Sequence, residues 1–287
     1  MNQELPAWHD APAWPEQYTP AFDLAGGPPT VRYAICTTPR SGSHFLSLMM
    51  KNTGLFGCPL EYFHREYLPI WRRRAAAEGH GSVIRFLESR RTGANGRLGI
   101  KIDRMSLPAT VAEIGPGFLR GEWKLIFLRR RDLLAQALSW TRAAQTGAWK
   151  ADWAHRGAVA YSRHEVAWRV GLAARQNASW QQLFAERGQV PLELVYEEVE
   201  QDPRGALEAV AGFLDTPLPA DLDWTRLVET RVQRTAGSSA WRERYVEETR
   251  AQADELALFD YTGSRKAAQL RRALWRLGRA AARLRPA

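Results

Sequence analysis

Two cysteines, Cys36 and Cys58, are all that the 287 residues contain. That is too few for a disulfide framework, and their spacing does not fit a metal site, so two packed thiols in a reducing compartment are expected. No run approaches the roughly 18 apolar residues of a membrane span. The opening "MNQELPAWHDAPAWPEQYTP" lacks the basic stretch and apolar run of a secretory signal. A cytoplasmic protein is expected, and the Asn177-Ala178-Ser179 triplet carries no weight as a glycosylation acceptor. Acidic residues are missing from one region, the segment from Ser264 onward, where eight arginines and lysines stand. The net charge is +9, so removing that segment leaves the first 263 residues near +1. A body so close to neutral loses the main support for nucleic-acid binding. No cluster of metal ligands is spaced along the chain, and no metal is expected.

With 45% hydrophobic residues the chain can bury an ordinary core. Short apolar strands are expected at Val31–Thr37, Leu98–Ile102, Lys124–Leu128 and Leu192–Tyr196. Helical stretches separate or follow them: Ser43–Asn52, Asp132–Gln145, Arg163–Arg187 and Pro203–Leu214. Strands alternating with helices imply a parallel sheet with right-handed crossovers. The expected fold is therefore α/β, a three-layer sandwich with a central parallel sheet flanked by helices. Residues 1–29, rich in Pro, Trp and Gly, read as an arm packed by its tryptophans. Residues 30–263 read as the main domain, and residues 264–287 as a basic tail.

In such a sheet, ligands bind beyond the carboxyl ends of the strands. Two of those ends carry unusual chemistry. After the first strand comes "TTPRSGSH", where Pro39 fixes the exit, Gly42 permits close backbone approach, and Ser41 and Ser43 supply hydroxyls as the next helix begins. A helix start presents free N–H groups and partial positive charge, which suits a phosphate or similar oxyanion. The nucleotide-hydrolase spelling GxxxxGK[ST] is absent, and Arg40 stands before the glycine. After "KLIFL" comes "RRRD", then a helix carrying Ser139. Arg131 and Ser139 are eight residues apart, about two helical turns, so both can face one end of a crevice.

These stretches resemble the sulfotransferases that use 3′-phosphoadenosine 5′-phosphosulfate (PAPS), and most closely the bacterial trehalose 2-sulfotransferase-type family. The cytosolic members spell the first loop T-Y-P-K-[ST]-G-T-T and the bacterial ones use R-S-G-S-T. The resemblance implies that Arg40, Ser41, Gly42, Ser43 and His44 hold the 5′-phosphosulfate, with His44 replacing the family threonine. It implies that Arg131 pairs with the 3′-phosphate and Ser139 donates to it. "QRTAGSSAWRERY" is similar in its Arg-to-Trp spacing to the R-K-G-x-x-G-D-W element that closes over the nucleotide. That adds Arg234 as a further 3′-phosphate ligand and Trp241 as packing, although the lysine and both glycines differ. The resemblance covers roughly residues 31–248 and implies a P-loop-like fold and a homodimer.

It also implies sulfuryl transfer from PAPS to a hydroxyl of a carbohydrate, glycolipid or other small metabolite. Such a transfer needs positioning and charge neutralisation, which Arg40 would supply at the leaving phosphate. An alcohol acceptor also needs a base. "GCPLEYFH" falls where the family has G-E-P-Q-E-F-F, which places Glu61 on the second family glutamate and Cys58 on the first. His64 is the competing base, since many sulfotransferases use histidine. Lys101 in "LGIKID" ends the next strand and points toward the same crevice. Tyr62, Phe63 and Trp71 fit either an aromatic wall for the acceptor or core.

Two other readings remain open at this stage. A nucleotide-dependent kinase would use the same loop but lacks GK[ST] and a clear carboxylate for Mg²⁺. A non-catalytic membrane-associated nucleotide-binding protein would account for the tail. There Leu270, Leu274, Leu277, Ala281 and Leu284 recur at helical spacing with arginines on the other face, a pattern that suits peripheral contact with an anionic inner-membrane surface. A helix docked on the body or a disordered tail accounts for it equally well.

Overall fold

The computed structural model describes residues 19–24, 27–149, 159–224, 227 and 236–257. Four strands form its centre: β1 (Val31–Thr37), β2 (Arg97–Asp103), β3 (Lys124–Arg129) and β4 (Leu192–Val195). They lie in the order β2-β1-β3-β4, every pair parallel. Ile35 is in register with Lys101 on one side and Ile126 on the other.

Both sheet faces are covered, which is why the strands read as apolar runs rather than as alternation. Successive side chains still point to opposite faces. Ala34 and Cys36 of β1 join Leu98, Ile100, Ile102 and Phe127 in one core. Tyr33 and Ile35 join Ile126 and Leu128 in the other. The first core is filled from α2 (Leu68–Ala77), α3 (Val83–Arg90), α4 (Leu107–Ile114) and α6 (Arg163–Glu186), through Trp71, Phe86, Leu107 and Trp180. The second is filled from α1 (Ser43–Asn52), α7 (Tyr196–Gln201) and α8 (Pro203–Phe213), through Leu46, Met49, Val199 and Leu207. Helix α5 (Leu133–Thr146) follows β3 and packs along α6. The three layers expected from the sequence are present.

The sequence strands are recovered to within a residue or two, with one instructive difference. Tyr196 does not end β4 but opens α7. Five further helices were not expected: α2, α3, α4, α7 and the one at Ala236–Ala257. Of the aromatic residues that fitted either a wall or core, all three are core: Tyr62, Phe63 and Trp71 are fully buried, and Tyr62 meets Trp71 edge-on with ring centroids 4.9 Å apart.

A short segment upstream of the sheet is tied into the first core. Pro20–Phe22 forms one 3₁₀ turn, and the Asp23 that follows it lies between two buried arginines, at 2.5 Å from Arg74 and 3.2 Å from Arg91. Arg74 and Arg91 also donate to the carbonyls of Thr19 (3.1 Å) and Phe22 (3.0 Å). Their guanidinium groups rest over Phe86 at 4.8 Å and Trp71 at 5.1 Å respectively. The tryptophans of the arm, Trp8 and Trp14, lie outside the described residues.

The chain divides into two compact units, Met1–Thr235 and Ala236–Ala287. In the second, α9 (Ala236–Ala257) carries Trp241 and an Arg244–Glu248 pair at 2.9 Å. Arg234 and the tail at 264–287 lie outside the described residues. Among those described, no helix is long and apolar enough to cross a membrane.

Candidate active site

The chain leaves β1 toward α1 on one face of the sheet and leaves β3 toward α5 and α6 on the other. Neighbouring strands whose continuations part in this way open a crevice at their carboxyl ends. The loop Thr38–Gly42 and the run Arg129–Arg131 stand on its two sides. A groove of about 470 Å³ between Arg204, Asp215, Pro217 and Trp224 lies at the opposite end of the sheet. There Arg97 and Lys124, the first residues of β2 and β3, donate to the carbonyls of Leu214 and Phe213.

The loop holds a demanding backbone. Gly42 has φ +85° and Arg40 has φ +63°, a left-handed conformation that side chains other than glycine seldom adopt. Gly42 is the N-cap of α1, and no side chain caps that helix. Its first-turn N–H groups therefore face the crevice mouth as an anion cradle. Glycine is required there for a second reason. A Cβ on residue 42 would stand 2.0 Å from the ring of Tyr196.

Neighbouring elements brace the loop from three directions. Gln136 Nε2 of α5 donates to Thr38 Oγ1 and to the Pro39 carbonyl, both at 2.7 Å. Trp180 Nε1 of α6 donates to the Thr37 carbonyl at 2.9 Å. Ser41 is fully buried and shares a hydrogen bond with Thr37 Oγ1. These are interior bonds of a rigid scaffold, the kind of support a precise site requires.

Arg40 reaches across the crevice. Its Nε donates to Ser139 Oγ at 2.9 Å, and its Nη1 donates to the carbonyl of Trp149. Burial and the nearby positive charge of Arg130 lower its pKa to about 10, with Tyr196 acting in the opposite direction. It remains a cation at neutral pH. Ser43 and His44 occupy the first turn of α1, as expected.

The three arginines after β3 differ sharply. Arg129 lies 3.8 Å from Glu193. Arg131 is the one the eight-residue spacing singled out. Its side chain is 61% exposed and paired with Glu198 of α7. Arg130 is only 17% exposed. Its Nη1 points to the Arg40 carbonyl at 3.4 Å, and its guanidinium lies 4.9 Å over the ring of Tyr196. The structure thus brings Arg40, Ser139, Arg130 and Tyr196 together and turns Arg131 outward. Glu197 fixes this corner by accepting the N–H groups of Arg131 and Asp132, each at 3.0 Å. Burial tends to raise its pKa, but those donors and Arg130 outweigh that effect and hold the carboxyl below its ordinary range.

The sequence motifs did not single out Arg130, Gln136, Trp180 or Tyr196. Two of them were signalled. Gln136 is three residues before Ser139 and so shares its helix face, and Tyr196 stands at a strand's carboxyl end.

Glu61 and His64 sit beyond β2. Leu60 makes a parallel bridge with Ile100 at the sheet edge. Glu61 Oε1 lies 3.4 Å from the ammonium of Lys101. His64 faces its own turn instead: its Nδ1 accepts the Glu66 N–H at 3.4 Å, and its ring lies 5.0 Å from that of Tyr67.

Solved structures that match the chain include the sulfotransferase domain of the Synechococcus PCC 7002 olefin synthase, 19% identical, with a TM-score of 0.40 over 75% of this chain and 88% of that one. Another is mouse sulfotransferase SULT7A1 complexed with PAP, 13% identical, with a TM-score of 0.42 over 87% of this chain and 90% of that one. Likeness at this level carries no residue correspondence. No curated protein matches the chain. The model of the Stf0 sulphotransferase family matches residues 32–94 and 105–248, well over half of the chain and including the loop, the arginine run and Glu61. On that match the chain belongs to the Stf0 sulphotransferase family and is an enzyme of the sulfotransferase class.

Proposed function

We propose that this sulfotransferase takes its sulfonate from PAPS and passes it to a hydroxyl of a carbohydrate, glycolipid or other small metabolite. The observation that carries the reading is the cationic crevice at the β1/β3 switch point, where Arg40 meets Ser139 across the strand ends. Loop residues Arg40, Ser41, Gly42, Ser43 and His44 hold the 5′-phosphosulfate, with the start of α1 supplying N–H donors. Ser139 and Arg130 hold the 3′-phosphate, with Arg131 adding long-range positive charge.

Transfer is an in-line displacement. The acceptor oxygen forms a bond to sulfur while the bond from sulfur to the bridging 5′-phosphate oxygen breaks, and 3′-phosphoadenosine 5′-phosphate departs. Arg40 meets the charge that grows on the leaving phosphate. The acceptor's proton passes to a base, for which Glu61 is the better placed of the two candidates. Its partner is a cation of the sheet, whereas His64 is engaged with its own turn. The basic tail at 264–287 would add peripheral contact with anionic lipid, which flotation with phosphatidylserine vesicles, with and without residues 264–287, tests.

The deciding experiment is calorimetric titration with 3′-phosphoadenosine 5′-phosphate beside ADP and ATP. Tight binding that depends on the 3′-phosphate is expected. A preference for ATP with Mg²⁺ would overturn the reading in favour of a kinase.

A further inference from the structure

Among the described lysines, Lys101 is the most deeply buried. Its side chain is 6% exposed, whereas that of its partner Glu61 is 33% exposed. Two connections join the pair. The Lys101 N–H donates to the Leu60 carbonyl at 2.9 Å, which locks the Glu61 segment to β2 in parallel register. The Lys101 ammonium then stands 3.4 Å from Glu61 Oε1.

Alternation explains why these two meet. Leu60 and Ile100 both point into the first core, so the residues that follow them, Glu61 and Lys101, both point to the other face. That face carries Ile35 and α1, the helix that begins at the Arg40 loop. A charge removed from water this far needs a counter-charge. Among the described residues, the only ion pair of Lys101 is with Glu61.

We propose that Lys101 is the positioning residue of the acceptor base: it holds the Glu61 carboxylate aimed, and acts on transfer through that carboxylate alone. The inference rests on the reading of Glu61 as the base. It requires the Glu61 carboxylate to be held in one place, and the Lys101 side chain beside Oε1 meets that requirement.

The test is a double-mutant cycle on the full chain, with kcat, KM for PAPS and the Kd of 3′-phosphoadenosine 5′-phosphate measured for each variant. Lys101→Met should lower kcat by roughly 100-fold, within the range of a lost general base, and leave nucleotide Kd unchanged. Glu61→Gln should do the same. The double variant should be no slower than Glu61→Gln alone, because Lys101 has nothing left to act through. Lys101→Arg keeps the charge and should keep kcat within a few-fold. If Lys101→Met does not fold, Lys101→Arg is read in its place, and a 100-fold loss there overturns the proposal. Multiplicative losses in the double variant overturn it as well, while leaving Glu61 as the base. Full activity in Glu61→Gln removes the base assignment itself and the proposal with it.

Discussion

Replacing each of two consecutive arginines by alanine should have very different consequences. The eight-residue spacing to Ser139 favours Arg131 as the phosphate ligand, and the geometry favours Arg130. Arg131 is 61% exposed and its partner Glu198 is equally exposed. An exposed pair of this kind contributes about 0.2–1 kcal/mol. Arg131→Ala should therefore weaken 3′-phosphoadenosine 5′-phosphate by less than about five-fold, mostly through long-range charge. Arg130 is 17% exposed, stacked on Tyr196 at 4.9 Å and directed at the loop that Arg40 anchors. A charge-assisted hydrogen bond from such a group is worth about 1.5–3 kcal/mol, which is roughly ten- to 150-fold in Kd. Arg130→Lys should fall between, since it keeps the charge but not the planar fork. Isothermal titration at low and physiological salt measures all three, and urea unfolding confirms that the variants are folded. The opposite order, a large loss for Arg131→Ala and a small one for Arg130→Ala, would refute the argument. It would mean that Arg131 leaves Glu198 when nucleotide binds.

Gly42→Ala forces a Cβ to 2.0 Å from Tyr196 at φ +85°, so nucleotide affinity should drop at least ten-fold and stability by about 1–3 kcal/mol; near-native binding would show that Tyr196 is free to move. Arg40, with a pKa lowered to about 10, is a cation below that pH and loses its charge above it. Nucleotide affinity should accordingly hold from pH 7 to 9 and fall as pH rises through 10, and the fall should vanish in Arg40→Ala; a flat profile for the unmodified enzyme contradicts the assignment. Asp23→Ala leaves two buried guanidinium groups without their shared carboxylate. By analogy with broken buried pairs it should cost about 3–5 kcal/mol, read as a lower urea midpoint, and a change below 1 kcal/mol would count against a structural role for the segment.

The sheet was legible because each strand is a short apolar run bounded by turn residues, and the loop after β1 was legible because its residue types are those an oxyanion needs. Position along a helix face was harder to see. Arg131 has the right spacing, but Asp132 caps α5 and Glu197 holds the N–H groups of both Arg131 and Asp132, which turns the Arg131 side chain toward Glu198. The spacing rule does not include that tertiary carboxylate. Tyr62, Phe63 and Trp71 show the same limit from the other side. Aromatic residues beside a reactive loop look alike in sequence whether they face ligand or core, and only the layer of α2 and α3 packed over them decides. Helices α2 to α4 escaped notice because arginines, alanines and prolines dilute their apolar stripe.

The segment that carries Asp23 bears on where the enzyme begins. The family pattern starts at residue 32, yet Asp23 supplies a negative charge shared by two arginines of the first core. Arg91, moreover, is bound through its own carbonyl to the N–H of Cys58, three residues before Glu61. The unit that folds is thus longer at its start than the unit that homology recognises. A fragment trimmed to the homologous core would keep every residue of the crevice and lose the carboxylate that two buried arginines of the first core share.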